Sequence, residues 1–338
     1  MRIQCFHNYE DVISLENLLL AWQEFVHGKR NKADVQVFGR NLIDNLIDLH
    51  NDLTTKKYRH GGYEAFTISD PKPRNIHKAS VRDRVLHHAI CRLLYPFFDF
   101  TFVHDSYSCR VGKGTHKALN RFRQFSQAVS QNHTRTCWVL KCDIKKFFAS
   151  IDQHVLLGIL QTYITDKDIL WLLQGVIGSF YSTELGKGLP LGNLTSQLLV
   201  NIYMNELDQF VKHKLKARHY IRYADDFVLM SRDKKWLEEQ IPMIESFLNN
   251  CLALRLHPDK VSIQTVASGV DFLGWVHFPH HRVPRPATVR RMRRRIATHP
   301  TPETIQSYAG LLSHGNAFGL RQEILGEYGL WESERNSA

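Results

Sequence analysis

Apolar residues recur at spacings of three and four through the first fifty positions. Val12, Leu15, Leu18, Leu19, Trp22, Phe25 and Val26 form one series, and Val35, Phe38, Leu42, Leu46, Ile47 and Leu49 form a second. This period predicts two amphipathic helices, separated by the Gly-Lys-Arg-Asn-Lys stretch from Gly28, with ordinary core packing as the reason for both stripes. A linker with Lys56-Lys57, Arg59-His60 and Gly61-Gly62 follows, then a strand from Tyr63 to Ser69. Pro71 and Pro73 put a turn or an edge after that strand. Ala79 to Phe102 returns to the helical period, with Val81, Val85, Ala89, Leu93 and Leu94 facing inward. The period drops to two over Cys137–Ile144, where Trp138, Leu140, Cys142 and Ile144 share one face and Asp143 lies on the other, near the strand end. Gly186 to Gly192 reads as a loop. The helix after it turns Leu194, Leu198, Ile202, Leu207, Phe210 and Val211 inward. His219 to Met230 is a hairpin: two runs rich in aromatic and β-branched residues joined by Ala224-Asp225-Asp226.

That hairpin carries the first chemistry. Two adjacent carboxylates between apolar flanks are costly to bury unless a cation neutralises them. Hard carboxylate oxygens suit magnesium. Asp143 is a third acid. As a strand-terminal Asp it fits a helix cap as well as a metal ligand opposite Asp225 and Asp226, where two ions could clamp the attacking and leaving oxygens of a phosphoryl transfer.

Composition changes the picture in one respect. Among 338 residues, 44 Lys and Arg stand against 33 Asp and Glu, a formal net charge of +11. Such a surplus favours a polyanionic partner. No long apolar run and no basic amphipathic anchor points to a membrane. The first residues, Met-Arg-Ile-Gln-Cys-Phe-His-Asn, are not a signal peptide. None of the six cysteines forms a Cys-x-x-Cys pair, so Cys137 and Cys142, on opposite faces of one strand, read as small core residues of a reducing compartment. His87-His88 and His280-His281 read as surface or phosphate-contacting histidines rather than a metal site.

Seven blocks then fall in order: Asp70-Pro-Lys-Pro-Arg-Asn-Ile; Asp83-Arg-Val-Leu-His-His-Ala; Ser106-Tyr-Ser-Cys-Arg-Val-Gly-Lys-Gly-Thr115; Phe147-Phe148 after Asp143; Gly188-Leu-Pro-Leu-Gly-Asn-Leu-Thr-Ser-Gln197; Tyr223-Ala-Asp-Asp226; and Val270-Asp-Phe-Leu-Gly-Trp275. Together they resemble a reverse transcriptase from about Asp70 to about Leu320. The resemblance implies an α+β right-hand polymerase: fingers, a palm of antiparallel sheet plus helices, and a small helical thumb. It divides the chain into an N-terminal helical extension (1–62), fingers and palm (63–281) and thumb (282–338).

The same resemblance assigns roles. Asp143, Asp225 and Asp226 would be catalytic and hold two Mg2+ ions, with Mn2+ able to substitute and Asp226 the more peripheral ligand. Arg110 would contact the triphosphate of the incoming nucleotide, with Lys72 and Arg74 as a further basic edge. Phe148 would stack under the sugar and exclude a 2′-hydroxyl, leaving Phe147 to the core. Lys260 would protonate the departing pyrophosphate. Gly274 and Trp275 belong to the hairpin that would hold the primer end. Arg290 and Arg294, in the run from Arg290 to Arg295, would bind the template–primer backbone. Thr301-Pro302-Glu303 starts a thumb helix, and the thumb is expected to end near Gly319.

Leu191-Gly192 and Ser196-Gln197 depart from the Gln-Gly and Ser-Pro usual in retroviral and group II intron enzymes. That departure resembles the reverse transcriptases of diversity-generating retroelements, where the substituted position lies by the nascent base pair and is associated with errors opposite template adenines. An aliphatic side chain cannot make the hydrogen bonds of a Gln, which loosens nucleotide positioning. The implied partners are template RNA, cDNA primer, deoxynucleotides and a small basic accessory protein, in the cytoplasm of a bacterial host or encoded by a phage. RNA removal and integration are expected to fall to other proteins. A defence-associated bacterial reverse transcriptase and a non-copying nucleic-acid-binding protein with a polymerase fold are the alternatives.

Overall fold

The computed structural model describes residues 3–69 and 73–327. The N-terminal helices number four rather than two: α1 (Tyr9–Ile13), α2 (Leu15–Phe25), α3 (Ala33–Arg40) and α4 (Leu42–Thr54). Ser14 breaks the first expected helix, because its extended backbone ends α1 and its side chain caps α2 by accepting from the Asn17 amide. Asn41, at φ −116° and ψ 42°, breaks the second. Most of both apolar stripes is buried as read, but Leu15, Leu19 and Ile47 are exposed. Leu18, Phe25, Leu49 and Leu53 join the main hydrophobic cluster, so this layer shares one core with the palm and is no separate module.

β1 (Tyr63–Ile68) pairs antiparallel with β2 (Arg74–Ala79), from Tyr63 opposite Ala79 to Ile68 opposite Arg74. The period had revealed only the first of these strands. The long helix α5 (Val81–Thr101) matches its expected range within two residues and is capped by Ser80. After it come α6 (Thr115–Val129), β3 (Trp138–Asp143), α7 (Phe147–Ser150), α8 (Gln153–Gln161), α9 (Lys167–Gly178) and α10 (Leu194–Gln209). The expected hairpin is β4 (Tyr220–Tyr223) and β5 (Asp226–Ser231), followed by α11 (Lys234–Leu252) and β6 (Ser262–Thr265). These strands form one sheet in the order β4-β5-β3-β6, antiparallel throughout.

β3 is central and buried on both faces. Leu140 and Cys142 pack into the main cluster with α10 and α11, while Val139 packs with Phe122 of α6, Val228 and Phe272. Cys137 and Cys142 therefore lie on opposite faces, as their spacing implied, and all six cysteines are free. α10 has no single inward face. Leu198, Leu199, Asn201, Tyr203, Met204 and Asp208 are all buried, because the helix runs between α5 and the rest of the palm core.

A second sheet of three strands, β7 (Val270–Phe272), β8 (Trp275–His277) and β9 (Arg282–Pro284), precedes the thumb. Residues 282–284 pair with β8, so the first part of the expected thumb is strand, and the helices begin at Pro286. The helical part comprises α12 (Pro286–Thr298), α13 (Pro302–Leu312) and α14 (Phe318–Glu327), the last running past the expected end at Gly319. Met292, Ile296, Ile305, Leu312 and Ile324 give it a core of its own, and Thr301 caps α13 by accepting from the Thr304 amide. Among the described residues no helix is long and apolar enough to cross a membrane.

Candidate active site

The hairpin turn is two residues long. Tyr223 pairs with Asp226, so Ala224 and Asp225 make the turn, and Ala224 sits in the left-handed region at φ 56°. A non-glycine residue there needs support from its surroundings. Arg222 supplies it: its Nη1 donates to the Ala224 carbonyl at 3.1 Å and to Asn201 Oδ1 at 3.3 Å. The rest of this guanidinium is bidentate on Asp208, at 2.7 and 2.6 Å, with Nη2 also donating to Ser106 Oγ at 3.0 Å. All five donors are used in a fully buried setting, and the Tyr220 hydroxyl donates to Asp208 Oδ1 at 2.7 Å. The turn that carries the acids is thus held from beneath by a satisfied buried ion pair.

Asp143 stands directly opposite Asp226 in the β3–β5 register. Opposed residues of an antiparallel pair point to the same face, so these two carboxylates are neighbours, with Asp225 at the tip beside them. Two ammonium groups attend the cluster. Lys260 Nζ donates to Asp143 Oδ1 at 2.7 Å, and Lys141 Nζ lies 3.8 Å from Asp226 Oδ2. They do not compensate it. Burial, then the Asp143 charge, holds the Asp225 carboxyl above the usual carboxylate range against the pull of Lys260 and Arg74. Burial pushes Asp226 up to about 7 despite Lys141, with Asp143, Asp225 and Asp271 adding repulsion. Asp226 Oδ1 is buried and has no hydrogen-bond partner.

These observations fit a divalent cation. The cluster carries surplus negative charge and an orphaned carboxylate oxygen. Among the described residues no three Asp, Glu, His or Cys side chains enclose a metal by themselves. An open face suits an ion such as magnesium, which binds one or two carboxylates and completes its shell with water and substrate phosphates.

The other expected site residues divide. Arg74, exposed at the start of β2, is near enough for its charge to lower the Asp225 pKa, so the β1–β2 hairpin borders the acids. Leu191 and Gly192 dock on the same strand. The Leu191 carbonyl accepts from the His77 amide at 3.0 Å, and Asn193 Nδ2 donates to the His77 carbonyl at 2.8 Å. Gly192 is required here: it has φ 103°, and a Cβ would lie 2.8 Å from Ile76 Cγ2. Phe147 is buried and Phe148 half-buried, on a short helical turn rather than extended chain, their rings edge to face at 5.5 Å. Gly274 forms, with Leu273, the tight β7–β8 turn at φ 86° and 50°. Arg290 and Arg294 are exposed one helical turn apart on α12.

Four expectations are corrected or fall outside the description. Arg110 is not free for a triphosphate. Its Nε donates to Asp99 Oδ1 at 2.6 Å, Nη1 to the Val103 and Ser106 carbonyls, and Nη2 to the Asp99 carbonyl, with the side chain 6% exposed. A glycine-flanked Arg looked like a phosphate contact, but α5 lies beside it and closes it into a loop clamp. Trp275 is buried in the core behind the palm sheet and fits against Gly315, where a Cβ would lie 2.1 Å from the indole, so it cannot face a primer. Lys72 lies outside the described residues. Likewise His87 is no surface histidine. It is buried against His60, its Nε2 3.1 Å from that ring's Nε2, and burial lowers its pKa to about 3.

Sequence reasoning missed Lys141, Arg222 and Asp208. Lys141 was within reach, since it shares a face with Asp143 at period two. Arg222 left one signal, a lone charge in an otherwise apolar strand. Its partner Asp208 is a matter of tertiary placement.

An antiparallel sheet with helices behind it and carboxylates on neighbouring strand ends is the palm of a polymerase that adds nucleotides. Residues 68–277, well over half of the chain, match the family Reverse transcriptase (RNA-dependent DNA polymerase), and the chain belongs to that family. Protein YkfC of Escherichia coli K12 is 28% identical over 245 residues, covering 61% of this chain and 63% of that protein. The group II intron-encoded protein LtrA of Lactococcus lactis is 24% identical over 280 residues, covering 62% of this chain and 44% of LtrA. Nuclear intron maturase 1, mitochondrial, of Arabidopsis thaliana is 20% identical over 351 residues, covering 69% of this chain and 48% of its own length. The chain thus spans under two thirds of each of these curated relatives. The matched region is an RNA-directed DNA polymerase domain, of a kind that depends on divalent metal.

Proposed function

We propose that this chain copies an RNA template into cDNA by Mg2+-dependent nucleotidyl transfer, and that it does so inaccurately opposite template adenines. The observation that carries the polymerase reading is the pairing of Asp143 with Asp226 beside Asp225, with the Asp226 Oδ1 oxygen left unsatisfied. Binding nucleic acid needs no such acids, since phosphates repel them. When bound, two magnesium ions would supply the Lewis acidity for attack by the primer 3′-hydroxyl and departure of pyrophosphate. Asp143 and Asp225 are the residues we assign to hold them, with Asp226 at the periphery.

The remaining residues position and select. Arg222 fixes the turn through the Ala224 carbonyl. Phe148, half-buried beside the strand acid, fills the space a 2′-hydroxyl would need and selects deoxynucleotides. Lys260, whose Nζ donates to Asp143 Oδ1 at 2.7 Å, is the residue we assign to protonate the leaving group. Arg74 draws the triphosphate toward the acids, and the exposed Arg290 and Arg294 grip the duplex backbone.

The diversity-generating assignment rests on Leu191. Its side chain is half-exposed beside Gly192, on the loop that docks onto the β1–β2 hairpin, and it offers no hydrogen bond to an incoming base. A structured template RNA and a small basic accessory protein complete this assignment. The test is extension of a DNA primer on an RNA template, with accessory protein supplied and the cDNA sequenced. Errors concentrated opposite adenines, and reduced by Leu191→Gln, are expected. Errors spread evenly over all four template bases, unaltered by Leu191→Gln, would move the protein to another bacterial lineage while leaving the polymerase reading in place.

A further inference from the structure

Away from the three aspartates, a pocket of about 260 Å³ opens where three parts of the molecule meet. Asn120 and Arg123 come from α6, His281 and Arg282 from the β8–β9 connection and its strand, His277 from β8, and His314 from the loop after α13. No carboxylate lines it. Arg282 Nε donates to the His314 carbonyl at 2.6 Å and Nη1 to Asn120 Oδ1 at 3.3 Å, which leaves the remaining guanidinium donors without a described acceptor. Arg123 is exposed on α6. Among the described residues neither arginine is paired with an acid. Burial, and then the Arg123 charge, pulls the Arg282 pKa below its ordinary value. His277 is 3% exposed, and its Nε2 has no hydrogen-bond partner.

Two guanidinium groups that line one pocket with no carboxylate, one of them with donors to spare, make a basic site that an anion would complete. The location separates it from the primer. In the β7-β8-β9 sheet the Leu273-Gly274 turn closes one end and the β8–β9 connection closes the other, so the pocket sits at the end away from Gly274. It also touches the thumb attachment. The Asn316 amide donates to the Arg282 carbonyl at 2.8 Å, and the His116 and His314 rings stack at 3.6 Å.

We propose that this pocket is a second nucleic-acid contact, binding the phosphodiester backbone of an RNA strand at the junction of α6, the β8–β9 connection and the thumb. The inference rests on the reading of the chain as an RNA-copying enzyme. A polyanion is favoured over a single small anion because the two arginines stand on separate elements, one lining the pocket wall and one exposed on α6, in a chain of net charge +11. An RNA strand held here runs past the thumb base and not through the catalytic face.

The test is binding, not synthesis. Anisotropy of a labelled single-stranded RNA is followed across a KCl series, without nucleotides, for the full chain and for Arg123→Gln. Each lost phosphate contact should make the plot of log Kd against log salt shallower by roughly 0.7. Arg123→Gln, on an exposed helix face, is expected to show that change, and Arg123→Gln/Arg282→Gln about twice it. Arg30→Gln/Arg40→Gln removes the same charge from the α2–α3 turn and the end of α3 and is expected to leave the slope near wild type. A slope unchanged in Arg123→Gln, or an equal drop in the N-terminal pair, overturns the proposal. Weaker RNA binding in the variants of a protein that extends no primer would instead keep the site and sink the polymerase reading.

Discussion

Two groups of charges share one hairpin and are treated in opposite ways. At its base, Arg222 and Asp208 are fully buried, yet every donor of the guanidinium has an acceptor and Asp208 also receives Tyr220. At its tip, Asp143, Asp225 and Asp226 crowd together with two lysines for three acids, and one oxygen has no partner at all. Burying a charge is tolerated where geometry satisfies it, as at the base. The tip is left unsatisfied within the protein. The difference teaches that a well-satisfied buried ion pair fixes a turn whose own charges the protein leaves uncompensated.

The comparison can be broken at either end. The largest effect is expected at the tip: Asp143→Asn should slow primer extension at least about a thousandfold, since a ligand carboxylate stabilises charge only in the reacting complex. Single-turnover extension measures it, and a loss of less than tenfold would remove Asp143 from the ligand set. At the base, Arg222→Gln leaves Asp208 buried without its partner and should cost about 3–5 kcal/mol of stability in urea unfolding. Replacing both, as Arg222→Met with Asp208→Leu, should restore much of that stability while extension stays slow, because the Ala224 carbonyl still lacks its donor. Full recovery of rate along with stability would make the pair structural only.

Selectivity is a smaller effect. Phe148→Ala should leave the fold intact and lower discrimination against ribonucleotides by roughly tenfold, read from the ratio of kcat/KM for the two nucleotide classes. The smallest effect concerns a third treatment of a buried titratable group, which is to keep it neutral. His87 has its pKa lowered to about 3 by burial, then by His60. Below the ordinary histidine value of about 6.5 the unfolded chain takes up a proton that the folded chain refuses, so stability falls as pH drops from there toward 3. Between pH 6.5 and 5.5 the loss should be about 1 kcal/mol, and His87→Asn should flatten that part of the profile in denaturant titrations.

Much of this was legible in the sequence. Period two revealed β3, aromatic and β-branched runs around the paired acids revealed both strands of the β4–β5 hairpin, and period 3.6 revealed α5 and the apolar stripes of the N-terminal layer. Breaks were harder: Ser14 divides one helix with no glycine or proline beside it, and Asn41 divides the other, two residues after Gly39, which is itself helical. β2 escaped because Ile76 is the one apolar side chain between Arg74 and Lys78, and its polar neighbours are partly or fully exposed, giving no apolar alternation. Of the candidate site, the grouping of the three acids was readable from type and spacing, Lys260 entered only through the family resemblance, and the surroundings of Arg110 and Trp275 were not readable because they come from distant segments. Asp99 on α5 engages the first and Gly315 in the thumb encloses the second.

The most direct test of the uncompensated tip compares wild type and Asp225→Asn in two assays on the same RNA template and DNA primer: Mg2+-dependent extension, and template–primer binding. The account predicts cDNA from wild type, none from Asp225→Asn, and equal binding by both. Extension by Asp225→Asn at the wild-type rate would contradict it.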